Sequence, residues 1–309
     1  MPQMTPAQAR VVDPVLTQVA RGFSSPAFAG MALFPAVPVG ARGGRVIEFG
    51  KEHFRLYNTA RAPGAQVVRI TAGHGSKTFA LEQHAVEEPV PYELLEDAQA
   101  VPKIDLGAAA VQRGLAIIGL RLEKIQADLA RNAANYPASN KLTLSGPSQW
   151  SDPGSDPVRA IEEAKEVVRG KIGVRPNTLL VSASVFAALK THPVITDRIK
   201  YTSREVATPE LLASLFGLER VVVGDAVYDD GSAMVDVWGK DAILAFTALG
   251  SIDAAQPTFG YTYRLEGMPI VEEPYQDRQI RSWVYPVIDE VAPVIAGAEA
   301  GFLFQNAVA

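Results

Sequence analysis

Residues 71–78, TAGHGSKT, hold the residue types of a phosphate-binding loop, with Gly73, Gly75, Lys77 and Thr78 close together. Such a loop needs four residues between its first glycine and a Gly-Lys pair, followed by a helix whose amino end faces the anion. Here Lys77 follows Ser76, and the next residues, TFALEQHA, read as strand. The stretch is therefore expected to be a turn that closes a hairpin. His84 precedes Glu87 and Glu88, a grouping that suggests a metal site. Along a strand His84 and Glu88 share a face but project in parallel, and His53, His74 and His192 are scattered, so ligand spacing is missing. Asp225, Asp229, Asp230 and Gly231 resemble part of a calcium loop, but no Glu closes it at the required distance, and a hairpin turn is expected instead. The chain has no cysteine and no G-x-S-x-G elbow, which removes disulfides, thiolate nucleophiles and the usual hydrolase serine. No catalytic, cofactor-binding or metal-binding residue is expected.

The elements that would position any chemistry come from a chain of 309 residues, 48% of them hydrophobic, long enough for two domains or for one domain with large insertions. A formal net charge of -5 gives no global basic surface for nucleic acid or an anionic membrane. The first residues, MPQMTPAQARVVDP, lack the features of a secretion signal, and no apolar run is long enough to span a bilayer, so a soluble, cytoplasmic protein is expected.

Residues 1 to 40 read as an arm: VVDPVLTQVARGF can form a short amphipathic helix, and SSPAFAGMALFPAVPVG is apolar but broken by Pro and Gly. RVIEFGKEHFRLYNTARAPGAQVVRI, residues 45–70, follows as a long open hairpin, with Val46, Ile47 and Phe49 on one limb and Val67, Val68 and Ile70 on the other. KTFALEQHAVEEPVPYELLEDA then gives a strand and a short helix over Tyr92 to Ala98. Val111, Leu115, Ile118, Leu122, Ile125 and Leu129 recur every three or four residues and predict one spine helix from Asp105 to Ala130, roughly 39 Å long at about 1.5 Å per residue. A brief strand is expected at Lys141 to Leu144. From Ser155 helices and strands alternate: Ser155-Asp156-Pro157 caps a helix that buries Val158, Ile161, Val168 and Ile172, and Thr208-Pro209-Glu210 starts another that ends at Gly217. The segment after 250 is mostly strand and is expected to return to the sheet beside the spine. The fold class is α+β.

A two-stranded ribbon is marginally stable by itself. This one carries Arg42, Arg45, Lys51, Arg55, Arg61 and Arg69 against Glu48 and Glu52, whereas the next stretch carries Glu87, Glu88, Glu93, Glu96, Asp97 and Asp105. A rigid ribbon cannot easily fold back onto the segment that follows it, so the economical arrangement lays the ribbon of one copy over the acidic segment of the next. Such a heterologous contact generates rings, or shells when several contacts close. A solvated hairpin within a monomer is the plain alternative.

An apolar arm, a basic extended loop, a spine helix beside a sheet and an inserted α+β domain resemble the major capsid proteins of tailed double-stranded DNA bacteriophages. RGGRVIEFGKEHFRLYNTARAPGA, VPYELLEDA, LARNAANYPASNKLTLSG and VWGKDAILAF resemble one group of them, and the similarity spans essentially the whole chain. The resemblance implies the tailed-phage capsid fold: an arm at 1–40, an extended loop at 41–75, a peripheral domain at 76–154 and 251–309, and an axial domain at 155–250 with Asp229-Asp230-Gly231 as a candidate ring contact. It implies pentamers and hexamers in an icosahedral shell around double-stranded DNA, assembled in the host cytoplasm and built with a portal and a possible decoration protein. The chain starts almost directly at the arm, which points to a separate scaffolding protein or to a mature form without its leader. Lys51 and Asn306 are not linked by any sequence feature, so a non-covalent shell is expected. The alternatives are an encapsulin-like cellular compartment shell and a soluble α/β hydrolase.

Overall fold

Two sheets organise the chain, and one helix joins them. The computed structural model describes residues 12–23, 25–46, 77–99, 105–199, 207–248 and 258–309, with positions 56, 60, 61 and 67.

The six-stranded sheet is built on β14 (Ser282–Ile295). β4 (Glu82–Pro91) pairs antiparallel along one edge of it, from Ser282 opposite Pro91 to Val291 opposite Glu82. Along the other edge β13 (Tyr275–Asp277), β12 (Ile270–Val271) and β11 (Gly260–Leu265) pair in succession, and β1 (Ala36–Val39) adds parallel to β11. The helix α3 (Leu106–Arg131) lies against β14 and β4, its first turn capped by Asp105, which accepts from the Ala108 N–H at 2.9 Å. Two glycines on one helical face permit that approach: a Cβ at Gly107 would sit 2.8 Å from the Tyr285 ring, and one at Gly114 would sit 3.2 Å from Val287. Val111, Leu115 and Ile118 bury against Val271 and Val287 as their spacing predicts. Toward the carboxyl end the buried face rotates. Ile125 and Leu129 are only half-buried, while Glu123, Gln126, Ala127 and Ala130 are buried. A strict seven-residue pattern drifts about 20° per heptad around a 3.6-residue helix, and here the drift brings a new face against a new partner.

That partner includes the five-stranded sheet, in the order β5 (Lys141–Thr143), β15 (Gly301–Gln305), β10 (Ala242–Ala245), β6 (Thr178–Ser182) and β7 (Arg220–Gly224). β10 is antiparallel to both neighbours, and β6 runs parallel to β7, as a helical crossover requires. Around it pack α4 (Pro157–Ile172), capped by Asp156, α5 (Ala183–Thr191), capped by Ser182, α6 (Pro193–Ile199), and α7 (Pro209–Phe216), which starts at Thr208 and ends on left-handed Gly217. The return of the carboxy-terminal segment to the sheet beside the spine is split. β11 to β14 do return, but β15 sits inside the five-stranded sheet, because GFLF is buried at every residue and suits a strand covered on both faces.

The arm docks through α1 (Pro14–Arg21), whose Thr17 hydroxyl both accepts from the Val271 N–H at 3.1 Å and donates to the Val271 carbonyl at 3.4 Å. The helix predicted from YELLEDA is α2 (Tyr92–Gln99). β2 (Gly43–Arg45) pairs antiparallel with β3 (Thr78–Ala80), so the base of the expected hairpin closes on 78–80, outside the limbs read at Val46–Phe49 and Val67–Ile70. The ribbon itself, with Lys51, Arg55 and Arg69, lies outside the described residues. β8 (Val227–Asp229) and β9 (Met234–Asp236) form the hairpin expected around Gly231.

Candidate assembly surface

Period-two alternation gives the six-stranded sheet two distinct faces. His84, Val86 and Glu88 of β4 and Tyr285, Val287 and Asp289 of β14 turn toward the spine; Gln83, Ala85, Glu87 and Pro89, with Pro286, Ile288 and Glu290, turn away from it. The base of the loop covers one end of this second face. Arg42 donates from Nε at 2.6 Å and from Nη2 at 2.9 Å to the two oxygens of Glu290, and that carboxylate raises the guanidinium's pKa further. Phe79 stacks on Tyr263 with ring centroids 4.1 Å apart, and Val46 is buried, its N–H bound to the Lys77 carbonyl at 2.9 Å. The base of the loop is therefore fixed to the sheet.

Beyond that base the second face is open along β4, where residues 83, 85, 87 and 89 are all exposed. Glu87 accepts there from the Tyr275 hydroxyl at 3.0 Å, and this bond is the main cause that raises the phenol's pKa. At the end of the strand α2 presents Glu93, Glu96 and Asp97, all exposed, around the exposed Leu94. Arg281 lies 3.9 Å from Glu93 with both side chains well solvated, a contact of little energetic weight.

The described residues among those expected to meet a neighbouring copy thus separate into groups. Arg45 is exposed at the root, and Arg61 is a described position of the loop. Arg42 is held by Glu290 of its own chain. Glu88 faces the spine and is bound by Arg113, because neighbours along a strand point to opposite faces, so it does not share a surface with Glu87. Glu87, Glu93, Glu96 and Asp97 form the acidic surface.

The sequence reading missed the anchor behind this surface. Glu123, 2% exposed, accepts from the Ala29 N–H at 2.8 Å, from the Gly30 N–H at 2.9 Å and from the Trp238 indole N–H at 2.6 Å. One carboxylate thereby joins the arm, the spine and the segment leading to the five-stranded sheet. Burial raises its pKa, and the three hydrogen bonds oppose that rise. Arg131 adds a second tie from the spine, to Asp241 at 2.6 Å and the Val237 carbonyl at 3.0 Å, and Arg220 joins β7 to the arm through the Ala32 carbonyl at 2.7 Å. The available signal was a Glu and a Gln placed three apart on the inner side of an amphipathic helix.

The residues read as possible chemistry have structural employment. Thr78 opens a strand and not a helix; His84 stands half-buried opposite Asp289 in the β4–β14 ladder. His192 is buried, its Nε2 3.2 Å from the Ser155 hydroxyl. Asp230 accepts from Ser232 and Ala233 within the β8–β9 turn, which lowers its pKa, and the hairpin leans on the spine through Tyr228, whose ring lies 5.3 Å from Lys124 Nζ. Among the described residues, no three His, Cys, Asp or Glu side chains are placed to hold a metal, and no helix is long and apolar enough to cross a membrane.

Comparison with known proteins gives this architecture its context. The family model described as phage major capsid protein E matches residues 134–279. The major capsid protein of Burkholderia phage BcepMu is 39% identical over 303 residues, covering 96% of this chain and 97% of that one. The crystal structure of a phage-related protein from Bordetella bronchiseptica RB50 superposes with a TM-score of 0.84 at 41% identity, covering 97% of this chain and 99% of that one. A structure from Mycobacterium phage Adephagia, at 15% identity, shares the fold with a TM-score of 0.52 over 98% of both chains. These relatives favour a phage shell over a cellular compartment or a hydrolase. Two packed sheets tied through one spine helix, with a rooted loop on one of them, are therefore the parts of a wall unit: the chain belongs to the phage major capsid protein family and is a structural subunit of a bacteriophage capsid shell.

Proposed function

We propose that the subunit assembles by laying the basic loop of one copy on the acidic surface of the next, and that it performs no catalysis. The loop of residues 41–75 leaves from the root at Arg42 and Val46, carries Arg45, Lys51, Arg55, Arg61 and Arg69 outward, and meets Glu87, Glu93, Glu96 and Asp97 of its neighbour. The observation that carries this reading is the acidic face of α2, which is exposed beside an open sheet face. Exposed pairs contribute about 0–1 kcal/mol each, so the contact depends on several acting together and on apolar burial around Leu94.

In this reading residues 1–40 are the arm, 76–154 and 251–309 a peripheral domain that lends β5 and β15 to the five-stranded sheet, and 155–250 an axial domain grouped around the rotation axes of pentamers and hexamers. The shell encloses double-stranded DNA without reading its sequence, is held without covalent links, and is assembled in the host cytoplasm with a portal protein. The test is a charge reversal, Glu93→Lys with Glu96→Lys and Asp97→Lys, followed by sedimentation and electron microscopy. Loss of particles with normal subunit folding supports the contact, and restoration by Arg55→Glu with Arg61→Glu would identify the partner side. Unchanged particle yield refutes it.

A further inference from the structure

Three of the large apolar side chains left exposed among the described residues gather at one corner of the six-stranded sheet. Tyr275 of β13 is 45% exposed, Ile280 in the turn joining β13 to β14 is 53% exposed, and Leu94 of α2 is 53% exposed. Single exposed apolar residues are ordinary, but a gathered set rimmed by charge marks a contact surface. The turn is held in shape. The Gln279 N–H donates to Asp277 Oδ1 at 2.8 Å, and the buried Ser282 hydroxyl donates to the Ile280 carbonyl at 3.0 Å. Arg281 is left-handed, at φ 49°, a backbone that a non-glycine residue keeps only where its surroundings fix it. Its carbonyl accepts the Tyr92 N–H at 3.1 Å, which joins the turn to the first residue of α2.

The two halves of this corner carry opposite charge. The turn presents Arg278, Ile280 and Arg281, all exposed. Beside it α2 presents Glu93, Leu94 and Asp97, and at about 100° per residue Asp97 falls between the other two around the helix. An isoleucine among arginines thus stands next to a leucine bordered by carboxylates. Because the turn is tied to the base of α2, it cannot close over Leu94 of its own chain, and Arg281 stands 3.9 Å from Glu93 with both side chains solvated. We propose that this corner is a contact between copies, in which the turn of one subunit lies on α2 of a second, Ile280 on Leu94, with Arg278 and Arg281 facing Glu93 and Asp97. Since the giving and receiving halves are neighbours, every copy does both at the same corner, and the contact closes around a rotation axis. This rests on the shell-subunit reading and adds a second contact to that of the loop; Glu87, and Glu96 further round α2, stay with the loop.

The chain has no cysteine, so introduced thiols report proximity without background. Full-length Ile280→Cys subunits are mixed at high concentration with Leu94→Cys subunits lengthened by a tag, and treated with a short bismaleimide. A covalent dimer of mixed size is expected, and it should be absent when Gln18→Cys, exposed on α1, replaces Ile280→Cys. Adding Arg278→Glu and Arg281→Glu to the first partner should abolish the product, and Glu93→Lys with Asp97→Lys in the second should bring it back. No loop residue takes part, so Arg55→Glu with Arg61→Glu should leave the product in place, and a failure of the loop contact is read separately from a failure of this one. A yield of mixed dimer no higher than with Gln18→Cys, or a product indifferent to charge reversal, would overturn the proposal.

Discussion

In the five-stranded sheet β6 and β10 are buried at every position, and the surrounding core takes in Trp150, Trp238, Phe216 and Phe304 with few charged groups. In the six-stranded sheet β4 alternates between spine and solvent, the apolar clusters are small, and the carboxylates of Glu123, Asp289 and Glu290 are buried within or against it. The first sheet closes one large apolar core with its own helices, with Ala127 and Ala130 of the spine, and with Leu33 and Phe34 of the arm. The second is completed by segments from elsewhere, the arm through α1 and the loop root through Arg42, and one stretch of its face remains open. The difference teaches where folding information and assembly information reside: continuous apolar burial specifies a closed core, whereas charged, half-covered surfaces specify what is attached at a margin.

If that division holds, the largest loss of stability should come from the first sheet. Leu180→Ala, at a fully buried position of β6, should cost about 2–5 kcal/mol in chemical denaturation, and a cost no larger than that of a surface change would break the comparison. Next comes the joint between the sheets. Glu123→Ala strands three buried donors and should cost about 3 kcal/mol, read as faster amide exchange at Ala29 and Gly30 and a changed Trp238 emission; Glu123→Gln, which keeps an acceptor, should restore part of it.

A smaller effect sharpens the contrast through pH. Burial holds Glu123 and Asp289 above the ordinary carboxylate value, so the folded chain takes up these protons before the unfolded chain does. As pH falls through the raised values toward the ordinary one, these two groups therefore favour the folded state. Glu166, lowered by Arg169 and Arg175, acts oppositely and loses its stabilisation only as pH falls below the ordinary range through its depressed value. The stability difference between wild type and Glu123→Gln should thus vary between neutral pH and the ordinary carboxylate value, and a constant difference would show that burial does not govern Glu123. The least effect on folding is expected for the Glu93, Glu96 and Asp97 reversal, where denaturation midpoints should stay within error while particle yield falls.

The same division explains what could be read in the sequence. α4 and α7 were legible with their caps because Asp156, Thr208 and Gly217 act locally, and the first half of the spine was legible because one partner covers one face. The place of β15 was not, since GFLF satisfies either sheet by its apolar character and only pairing with Ala242–Ala245 decides between them. Glu123 was hidden by its own rule, as a charge on a helix normally marks the solvent side. Glu87 and Glu88 looked equivalent until the register put them on opposite faces. The whole-chain similarity to phage capsid proteins rests on longer strings than any of these local patterns.

β4 has one partner strand among the described residues, which leaves ten residues of sheet margin facing outward. Pro89 and Pro91 carry no amide hydrogen to offer there, and the strand also holds Glu82, Glu87 and Glu88, features that discourage edge-to-edge growth. A protein made in many copies at once spends time crowded among identical molecules before any of them is placed. A margin that refuses indiscriminate stacking keeps that crowd soluble, so that siblings join only through the side surfaces meant for it.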